Sequence, residues 1–511
     1  MNTANRIIFN TIVLYIRIVV NMLISLISVP LIMHALGISD FGLYNLIAGV
    51  IGMLAFLNAS MTVSTQRFLS VSIGEKNNQR SNIIYNNSLI LHILMGLLCI
   101  VLFEICIPFL FNGFLNIEPG KLGTAKIVYQ LLIVTTFFTV ITVPYEAIMN
   151  AKENMLTFSI LGIIEAVLKL LLALYLSCCP YDRLIFYGIG VAVISFINLC
   201  FNRSYVHLKY KEYKRDFRRY FDKKVFREVL NFMGWNTFGS VAVVGRNQGI
   251  AIILNRFYGT VLNAAYGVAN QINGVLGYFS NTFNKSINPQ LMQSEGMKDR
   301  ERLIRYSFIS SKFSVLVLGL FVWPLTIEMQ YVLQIWLKTP PEYTTMLSIT
   351  ILFFSLVCQY SMGLMSAIQA IGNIRNYQIT MSILILLNIP ISYFSLKIGL
   401  PPYYTTIGFI IIEVISLIVR LFFARSLVGI KIMDYLKVIV VPTIIVMIIS
   451  SGVACIPHYL MEEGFLRLIM VCLLYIILFI LSSWFLALND SEKSIFANLI
   501  NRVFNKTVIK L

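Results

Sequence analysis

Two stretches of this sequence resemble each other and decide how the whole chain is organised. Residues 37–80 read GISDFGLYNLIAGVIGMLAFLNASMTVSTQRFLSVSIGEKNNQR, and residues 259–302 read GTVLNAAYGVANQINGVLGYFSNTFNKSINPQLMQSEGMKDRER. They align without a gap at an offset of 222 positions and share ten identical residues. The identical pairs are Gly37 and Gly259, Tyr44 and Tyr266, Gly52 and Gly274, Leu54 and Leu276, Ser64 and Ser286, Leu69 and Leu291, Ser72 and Ser294, Gly74 and Gly296, Lys76 and Lys298, and Arg80 and Arg302. Because the matches keep one phase over an apolar segment and the polar loop after it, the sequence predicts a duplicated chain.

The composition excludes an ordinary soluble protein. Of the 511 residues, 58% are hydrophobic and only 12% are charged, whereas a soluble domain is about one quarter charged. The apolar residues fall in long uncharged blocks, which also excludes intrinsic disorder, a disulfide scaffold and a collagen-like fibre. The sequence therefore predicts an all-α, polytopic membrane protein.

Fourteen apolar stretches are long enough to cross a bilayer as helices. The first, from Ile7 to Leu36, is too long for the apolar part of a signal peptide and lacks a small-residue cleavage site, so we expect it to remain as a membrane helix. The predicted spans cover residues 7–36, 41–66, 84–111, 124–149, 157–178, 184–202, 230–256, 262–288, 306–327, 343–371, 377–396, 404–424, 435–457 and 465–487.

The basic residues predict which side of the membrane each loop faces. Most Lys and Arg residues fall in loops on the side that also holds both termini, and such loops face the cytoplasm. We therefore expect a multi-pass protein of the bacterial cytoplasmic (inner) membrane with both termini inside. The run from Arg203 to Arg227 holds ten basic and three acidic residues. It could bind anionic lipid headgroups, or it could be a solvated connector that only fixes the topology.

The duplication predicts a two-lobed architecture. Each repeat holds six spans, and an even number returns the chain to the same side, so the two repeats are parallel. Two such lobes would form a V-shaped transporter that rocks to expose a central cavity to each side in turn; the alternative is a duplicated scaffold with no transport role. The predicted divisions are an N-terminal lobe (1–202), a basic connector (203–229), a C-terminal lobe (230–424) and two extra helices with the tail (425–511).

Four cations at membrane depth are candidates for binding an anion. Charged groups inside a bilayer cost several kcal/mol and usually face a cavity or a partner. Arg17 and Arg246 have no acidic neighbour within one helical turn, and guanidinium groups match phosphate oxygens with two-pronged hydrogen bonds. We expect both to bind a diphosphate, with Lys169 and Lys312 as further ligands. Alternatively, Lys169 neutralises Glu165 four residues earlier, and Lys312 reaches the cytoplasmic interface.

Carboxylates and amides complete the predicted site. Glu165 and Glu413 are candidates for coupling transport to H⁺ or Na⁺, and we expect no other cofactor, since no Cys or His spacing resembles a metal site. Polar amides concentrate on the same spans, where they could hydrogen-bond sugar hydroxyls in a wet cavity or link helix to helix. The candidates for the sugar are Asn21, Asn247, Gln248, Asn270, Gln271 and Asn273.

Several loop motifs resemble those of one transporter family. The stretch from Gln66 to Asn77, its repeat copy from Asn288 to Arg302, the outer segment from Glu328 to Leu337 and the following Pro340 to Tyr343 resemble bacterial polysaccharide flippases of the Wzx, or O-antigen, type. That family belongs to the multidrug/oligosaccharidyl-lipid/polysaccharide (MOP) exporter superfamily, and the resemblance implies its MATE-like fold.

The resemblance implies a flippase for an undecaprenyl-diphosphate-linked oligosaccharide, serving export of lipopolysaccharide or of a capsular or exopolysaccharide. The implied partners are this lipid-linked sugar, membrane lipids and a polysaccharide polymerase machinery, with no nucleic acid. Two rivals share the fold: a multidrug cation antiporter, which would require deep carboxylates in its N-terminal lobe, and a lipid II flippase. An enzyme is not expected, because the sequence has no large outer loop, no paired carboxylates and no nucleotide loop.

Overall fold

The computed structural model describes residues 3–115, 117–490 and 492–494, and within them the regular structure is helical throughout. The helices of the first half are α1 (Thr3–Leu36), α2 (Ile38–Gly52), α3 (Ala55–Gly74), α4 (Asn78–Phe109), α5 (Leu122–Ala151), α6 (Met155–Leu176), α7 (Arg183–Lys209) and α8 (Phe217–Tyr220). Those of the second half are α9 (Lys223–Gly296), α10 (Arg300–Ile327), α11 (Met329–Leu337), α12 (Thr344–Ile371), α13 (Arg375–Lys397), α14 (Tyr404–Val428), α15 (Ile432–Tyr435), α16 (Val441–Leu460) and α17 (Phe465–Ser482).

The helices account for the predicted spans. In the described residues, twelve helices are long and apolar enough to cross a membrane, and the α2–α3 pair, bent by 47°, makes a thirteenth. Helix α9 has 74 residues, about three times the length that a bilayer requires, and it is interrupted at Gly259. Counted as two spans, α9 brings the total to the fourteen that the sequence predicts.

The repeat extends from the sequence to the backbone. Gly37, between α1 and α2, has φ 80° and ψ 161°, and its repeat partner Gly259 has φ 76° and ψ −165°. This region is open essentially to glycine alone, because a Cβ atom would be strained there. Lys76 and Lys298, another repeat pair, also share a positive φ, of 55° and 58°. The two copies therefore turn the chain at the same positions.

Matching helix caps follow these turns. The side chain of Asn77 accepts a hydrogen bond from the backbone N–H of Arg80 at the start of α4, at 2.9 Å. The side chain of Asp299 accepts one from Arg302 at the start of α10, at 3.0 Å. Asn and Asp are favoured at this position because they satisfy a free N–H of the first turn. Helices α4 and α10 thus begin with the same kind of side-chain N-cap.

Residues Asn10–Ser240 form one compact unit, here called the N-unit. Helix α5 lies at its centre and packs against α2, α3, α4, α6 and α7. Its side chains Ala125, Val128 and Tyr129 are almost wholly buried in the apolar core. The connector after α7 belongs to this unit, whose boundary falls at Ser240, inside α9.

The chain from Val241 onward, with the first residues up to Phe9, forms a second compact unit, here called the C-unit. Within it, α12 packs against both α10 and α14, and α13 packs against α14. Helices α16 and α17 pack against each other and against α10, and the Tyr475 hydroxyl donates a hydrogen bond to the Gly319 carbonyl of α10 at 2.9 Å. The last two spans are therefore integral to this unit.

The outer helix faces are apolar. Ile16 and Leu26 of α1 are 54% and 63% exposed, and Ile448 of α16 is 61% exposed. Apolar faces of this extent would be an aggregation liability in water, but they suit contact with lipid. The protein is a multi-pass membrane protein.

The backbone conformation of Gly259, inside α9, leads to a first prediction. Gly259→Ala should lower the free energy of unfolding by about 1–3 kcal/mol, because alanine is strained at this φ and ψ. A Cβ atom there would meet no neighbour, so the loss would be conformational. Thermal unfolding in detergent measures it. Gly234→Ala, also on α9 but helical and uncrowded, is the control; equal melting temperatures for the two variants would contradict the prediction.

Candidate functional site

Arg17, in the middle of α1, is held by an aromatic ring and a carbonyl. Its guanidinium lies 4.2 Å from the centroid of the Phe158 ring, and Nη1 donates a hydrogen bond to the Phe158 carbonyl at 3.4 Å. Gly162, one turn further along α6, leaves the space that the guanidinium fills, since a Cβ atom there would overlap it. Within the described ranges, no carboxylate forms an ion pair with Arg17.

A second pair of charges lies near Arg17 in the N-unit. Lys169 Nζ lies 2.7 Å from Glu165 Oε1, which is the intrahelical pair that the spacing allows. The amide of Asn198 donates to Glu165 Oε2 at 3.0 Å. Glu146 and Glu165 are the carboxylates whose charges act on Arg17. Two cations thus stand beside two anions, and this group of four has no net charge.

A cavity of about 110 Å³ opens beside these carboxylates. Its wall is rich in oxygen atoms that can accept hydrogen bonds or metal-ion contacts but have no hydrogen left to donate. Thr62, Thr139 and Thr142 each donate their hydroxyl hydrogen to a carbonyl one turn earlier, which leaves their lone pairs free. The cavity is lined by Asn58, Thr62, Thr139, Thr142, Val143, Glu146, Glu165, Ser195 and Asn198. Such a wall suits water or a small cation.

Arg246, on α9, occupies a comparable setting in the C-unit. Its Nε and Nη2 donate to Asn247 Oδ1 at 3.1 and 2.9 Å. Its guanidinium lies 5.0 Å from the ring centroid of Phe354 and 4.7 Å from that of Phe409. Nη1 has no hydrogen-bond partner in the part of the chain that the structure describes. Arg246, like Arg17, is held by rings and an oxygen rather than by a carboxylate.

Glu413, the second candidate for ion coupling, is bonded to another arginine. Arg420 donates through Nη1 to Glu413 and to Ser361 Oγ at 2.8 Å, and through Nε to the Tyr377 hydroxyl at 3.2 Å. From its place near a helix end, the sequence predicts that Arg420 reaches the membrane interface. Its spacing of seven residues from Glu413 instead places the two side chains two turns apart on one helix face. Arg246, Glu413 and Arg420 together carry one net positive charge.

Lys312 has partners other than the ones expected. Its side chain is 1% exposed, and Nζ donates to Glu492 Oε2 at 2.9 Å and to the Ala487 carbonyl at 3.0 Å. An ammonium that is buried and bonded in this way is not open to a substrate. The geometry therefore does not support contact between Lys312 and a diphosphate. It also does not support an extended Lys312 side chain that snorkels to the membrane interface.

The six amides fall into two groups. Two are half-buried and keep a buried side-chain oxygen without a hydrogen-bond partner in the described residues: Asn21 and Asn273. Four are exposed on α9: Asn247, Gln248, Asn270 and Gln271. An exposed amide in a membrane-spanning helix is costly against lipid, so these positions favour contact with water or a polar ligand.

Comparison with known proteins places the chain in a family. A family model described as "Polysaccharide biosynthesis protein" matches residues 7–294. The chain belongs to this family. No curated protein matches it.

Solved structures show the fold. A crystal structure of MATE in the bent conformation has a TM-score of 0.71 at 15% identity, covering 84% of this chain and 96% of that one. An outward-facing multidrug resistance MATE family transporter of the MOP superfamily has a TM-score of 0.72 at 13% identity, with the same coverage. A MOP superfamily transporter from Pyrococcus furiosus, titled for a binding pocket of reverse polarity, has a TM-score of 0.72 at 14% identity, again covering 84% and 96%. Family and fold together are those of a membrane transporter.

A further buried charge cluster, outside the predicted site residues, lies in the C-unit. Glu328, at the end of α10, has a wholly buried side chain. It accepts from Arg467 Nη2 at 2.8 Å and lies 2.9 Å from His458 Nδ1. Arg467 and His458 lie 139 and 130 residues away along the chain, so no local pattern could have revealed them. The cluster joins the end of α16 and the start of α17 to the end of α10.

Removing the Glu328 carboxylate should destabilise the folded protein. Glu328→Gln leaves Arg467 buried without its anion, which we expect to lower the free energy of unfolding by about 3–5 kcal/mol. Thermal unfolding in detergent measures the loss. Glu118→Gln, at a side chain that is 71% exposed, is the control and should change little. A melting temperature for Glu328→Gln within error of the wild type would show that the cluster does not stabilise the protein.

Proposed function

We propose that this protein is a flippase that moves a polyprenyl-diphosphate-linked oligosaccharide across the cytoplasmic membrane by alternating access, for export of lipopolysaccharide or of a capsular or exopolysaccharide. One observation carries the proposal. Each unit holds an arginine inside its membrane helices, Arg17 or Arg246, that contacts aromatic rings and oxygen atoms but forms no ion pair with a carboxylate of the described residues. The family's connection with polysaccharide biosynthesis supports the same substrate class.

The C-unit cluster supports an anionic substrate. Glu413 is already bonded to Arg420, so the charge of Arg246 remains unbalanced. An uncompensated cation at membrane depth costs several kcal/mol, and a bound diphosphate would relieve that cost through charge-assisted hydrogen bonds to the unused Nη1. Outward movement of the anion is favoured by a negative-inside potential, by about 2.3 kcal/mol per charge per 100 mV across the full field.

The exposed amides suit the sugar part of such a substrate. Asn247, Gln248, Asn270 and Gln271 lie on α9, the helix that also carries Arg246. Primary amides both donate and accept, as sugar hydroxyls do. We assign them to the glycan, and Arg17 and Arg246 to the diphosphate. Lys169 and Lys312 have carboxylate partners and receive no substrate role.

The N-unit cavity supports coupling to an ion. With Glu146 and Glu165 both charged, the four groups around Arg17 balance, and an anion gains little there. A proton or a sodium ion in the acceptor-lined cavity would neutralise one carboxylate charge and leave Arg17 in excess. We therefore assign ion coupling to Glu165 rather than to Glu413, which Arg420 already engages.

The same cavity bears on the rival function, a multidrug cation antiporter. Two carboxylates in the N-unit are what such a transporter would require, and the structure brings them together. The cavity, however, holds about 110 Å³, whereas sites for drug-sized molecules occupy roughly 300–1,000 Å³. Within the N-unit this favours an ion over a drug. A lipid II flippase would use the same headgroup chemistry and differ in the sugar.

Binding measurements test the anion site. We expect Arg17→Gln and Arg246→Gln each to weaken binding of a polyprenyl diphosphate to the purified protein roughly tenfold or more, since each removes a charge-assisted contact of about 1.5–3 kcal/mol. Flipping of a fluorescent lipid-linked oligosaccharide in proteoliposomes should fall in parallel. Gly162→Ala should act like Arg17→Gln, because its methyl group displaces the guanidinium.

The matched control is Arg256→Gln, which removes an exposed arginine from the same helix as Arg246. Full binding and flipping by both Arg17→Gln and Arg246→Gln would refute the anion site. Deleting the gene and identifying the lipid-linked oligosaccharide that accumulates on the inner face tests the substrate, and accumulation of lipid II would favour that rival.

The coupling site has its own test. Glu165→Gln removes a negative charge near Arg17, so it should tighten diphosphate binding severalfold and abolish the dependence of binding on Na⁺ or pH. A merely structural carboxylate would instead weaken binding when it is replaced. Titrations at several Na⁺ concentrations and pH values distinguish the two. Glu104→Gln, at an exposed position on α4, is the control and should keep the ion dependence.

A further inference from the structure

The connector after α7, within the N-unit, carries a cluster of exposed positive charges. All ten basic residues between positions 203 and 227 are exposed: Arg203, Lys209, Lys211, Lys214, Arg215, Arg218, Arg219, Lys223, Lys224 and Arg227. Within the described ranges, none of them forms an ion pair. Ten cations in so short a segment therefore act together on whatever they face.

The acidic residues of the connector are engaged elsewhere. Asp216 caps α8 by accepting from the backbone of Arg219, and Asp222 accepts from the backbone of Lys224 and Val225 at the start of α9. Glu212 pairs at 3.0 Å with Lys152, which lies after α5. These contacts shape the backbone and leave the exposed cations without local neutralisation.

Three buried asparagines of α4 hold the connector in place. Asn86 donates to the Lys214 carbonyl at 2.8 Å and accepts from the backbone of Asp216 at 3.1 Å. Asn82 accepts from the backbone of Lys214 at 3.1 Å. Asn87 donates to the Tyr220 carbonyl at 2.9 Å and accepts from Asp222 at 3.3 Å. This set of contacts, the asparagine clamp, fixes a segment that would otherwise be a loop.

The clamp is specific to the N-unit. The repeat positions of Asn82, Asn86 and Asn87 in the C-unit are Ile304, Phe308 and Ile309. There they line a cavity of about 410 Å³ together with Glu301, Arg305, Val438, Asn489 and Glu492. A duplicated scaffold alone would not need the clamp in one copy only, so the fixed connector calls for a role of its own.

Apolar side chains stand among the cations. Leu208, at the end of α7, is 77% exposed, and Phe221, just before α9, is 49% exposed. Both lie where a membrane-spanning helix meets the connector. Apolar groups flanked by Lys and Arg at the end of a span are typical of segments that insert into the headgroup region of a bilayer.

We propose that the connector is a docking surface for anionic phospholipids of the leaflet that it faces, with the cations binding the headgroups and Leu208 and Phe221 entering the interface. Charge complementarity favours this occupant, because a leaflet rich in anionic lipid attracts a cluster of exposed cations additively. The exposed apolar groups favour a lipid surface over a soluble acidic protein. The proposal is independent of the flippase assignment.

Native mass spectrometry of the full-length purified protein tests this proposal. The protein is incubated with equal amounts of phosphatidylglycerol and phosphatidylcholine of matched acyl chains, and the ratio of bound lipids is measured. We expect the wild type to prefer phosphatidylglycerol, and the quadruple variant Arg218→Gln, Arg219→Gln, Lys223→Gln, Lys224→Gln to lose roughly tenfold or more of that preference. All four side chains are exposed, so the variant should fold.

The control removes the same number of charges at the start of α10, in the variant Lys298→Gln, Arg300→Gln, Arg302→Gln, Arg305→Gln. It should retain the preference if the connector is the docking surface. An equal loss in both variants would show that only net charge matters, and an unchanged ratio in the connector variant would show that lipid does not bind there. Either result overturns the proposal.

The clamp gives an independent readout. Asn82→Ala with Asn86→Ala keeps every cation but frees the connector backbone, so the preference for phosphatidylglycerol should fall severalfold while net charge stays constant. A ratio equal to that of the wild type would show that a fixed connector is not needed.

Discussion

The cost of a charged side chain in the membrane interior organises this protein. In the described residues, the cations inside the membrane helices fall into two groups, according to whether their contacts are with carboxylates or with neutral groups. Lys312 and Arg420 are bonded to carboxylates and serve the packing of the C-unit. Arg17 and Arg246 are held by aromatic rings and neutral oxygen atoms, which orient a guanidinium without cancelling its charge. The presence or absence of a carboxylate partner separates structural cations from candidates for anion binding. Hydropathy alone cannot separate them.

The sequence was sufficient for the features that depend on local pattern. Long apolar runs predicted the helices, and the repeat pairs Gly37 with Gly259 and Lys76 with Lys298 anticipated the matching backbone turns. The spacing of Glu165 and Lys169 allowed for the pair that forms. The partners of Lys312 and Glu328 were not predictable, because 180 and 139 residues separate them from Glu492 and Arg467, and no helical periodicity acts over such distances.

The two units share backbone turns at matching repeat positions, but their buried polar contacts differ. The N-unit uses buried asparagines on α4 to hold the connector, whereas the C-unit has isoleucine and phenylalanine at those positions and packs α16 and α17 nearby. The charge balance diverges as well: the group around Arg17 is neutral, and the group around Arg246 has an excess cation. The two units thus share matching backbone turns and differ in the buried charges and amides that a few helix positions carry.

The bond between Lys312 and Glu492 has a consequence for biosynthesis. Lys312 is translated 180 residues before Glu492, a delay of roughly ten to forty seconds at ordinary elongation speeds. Throughout that interval α10 carries an ammonium without the carboxylate that it contacts in the folded protein. Lys312 therefore gains this partner only after the spans between the two residues have been synthesised.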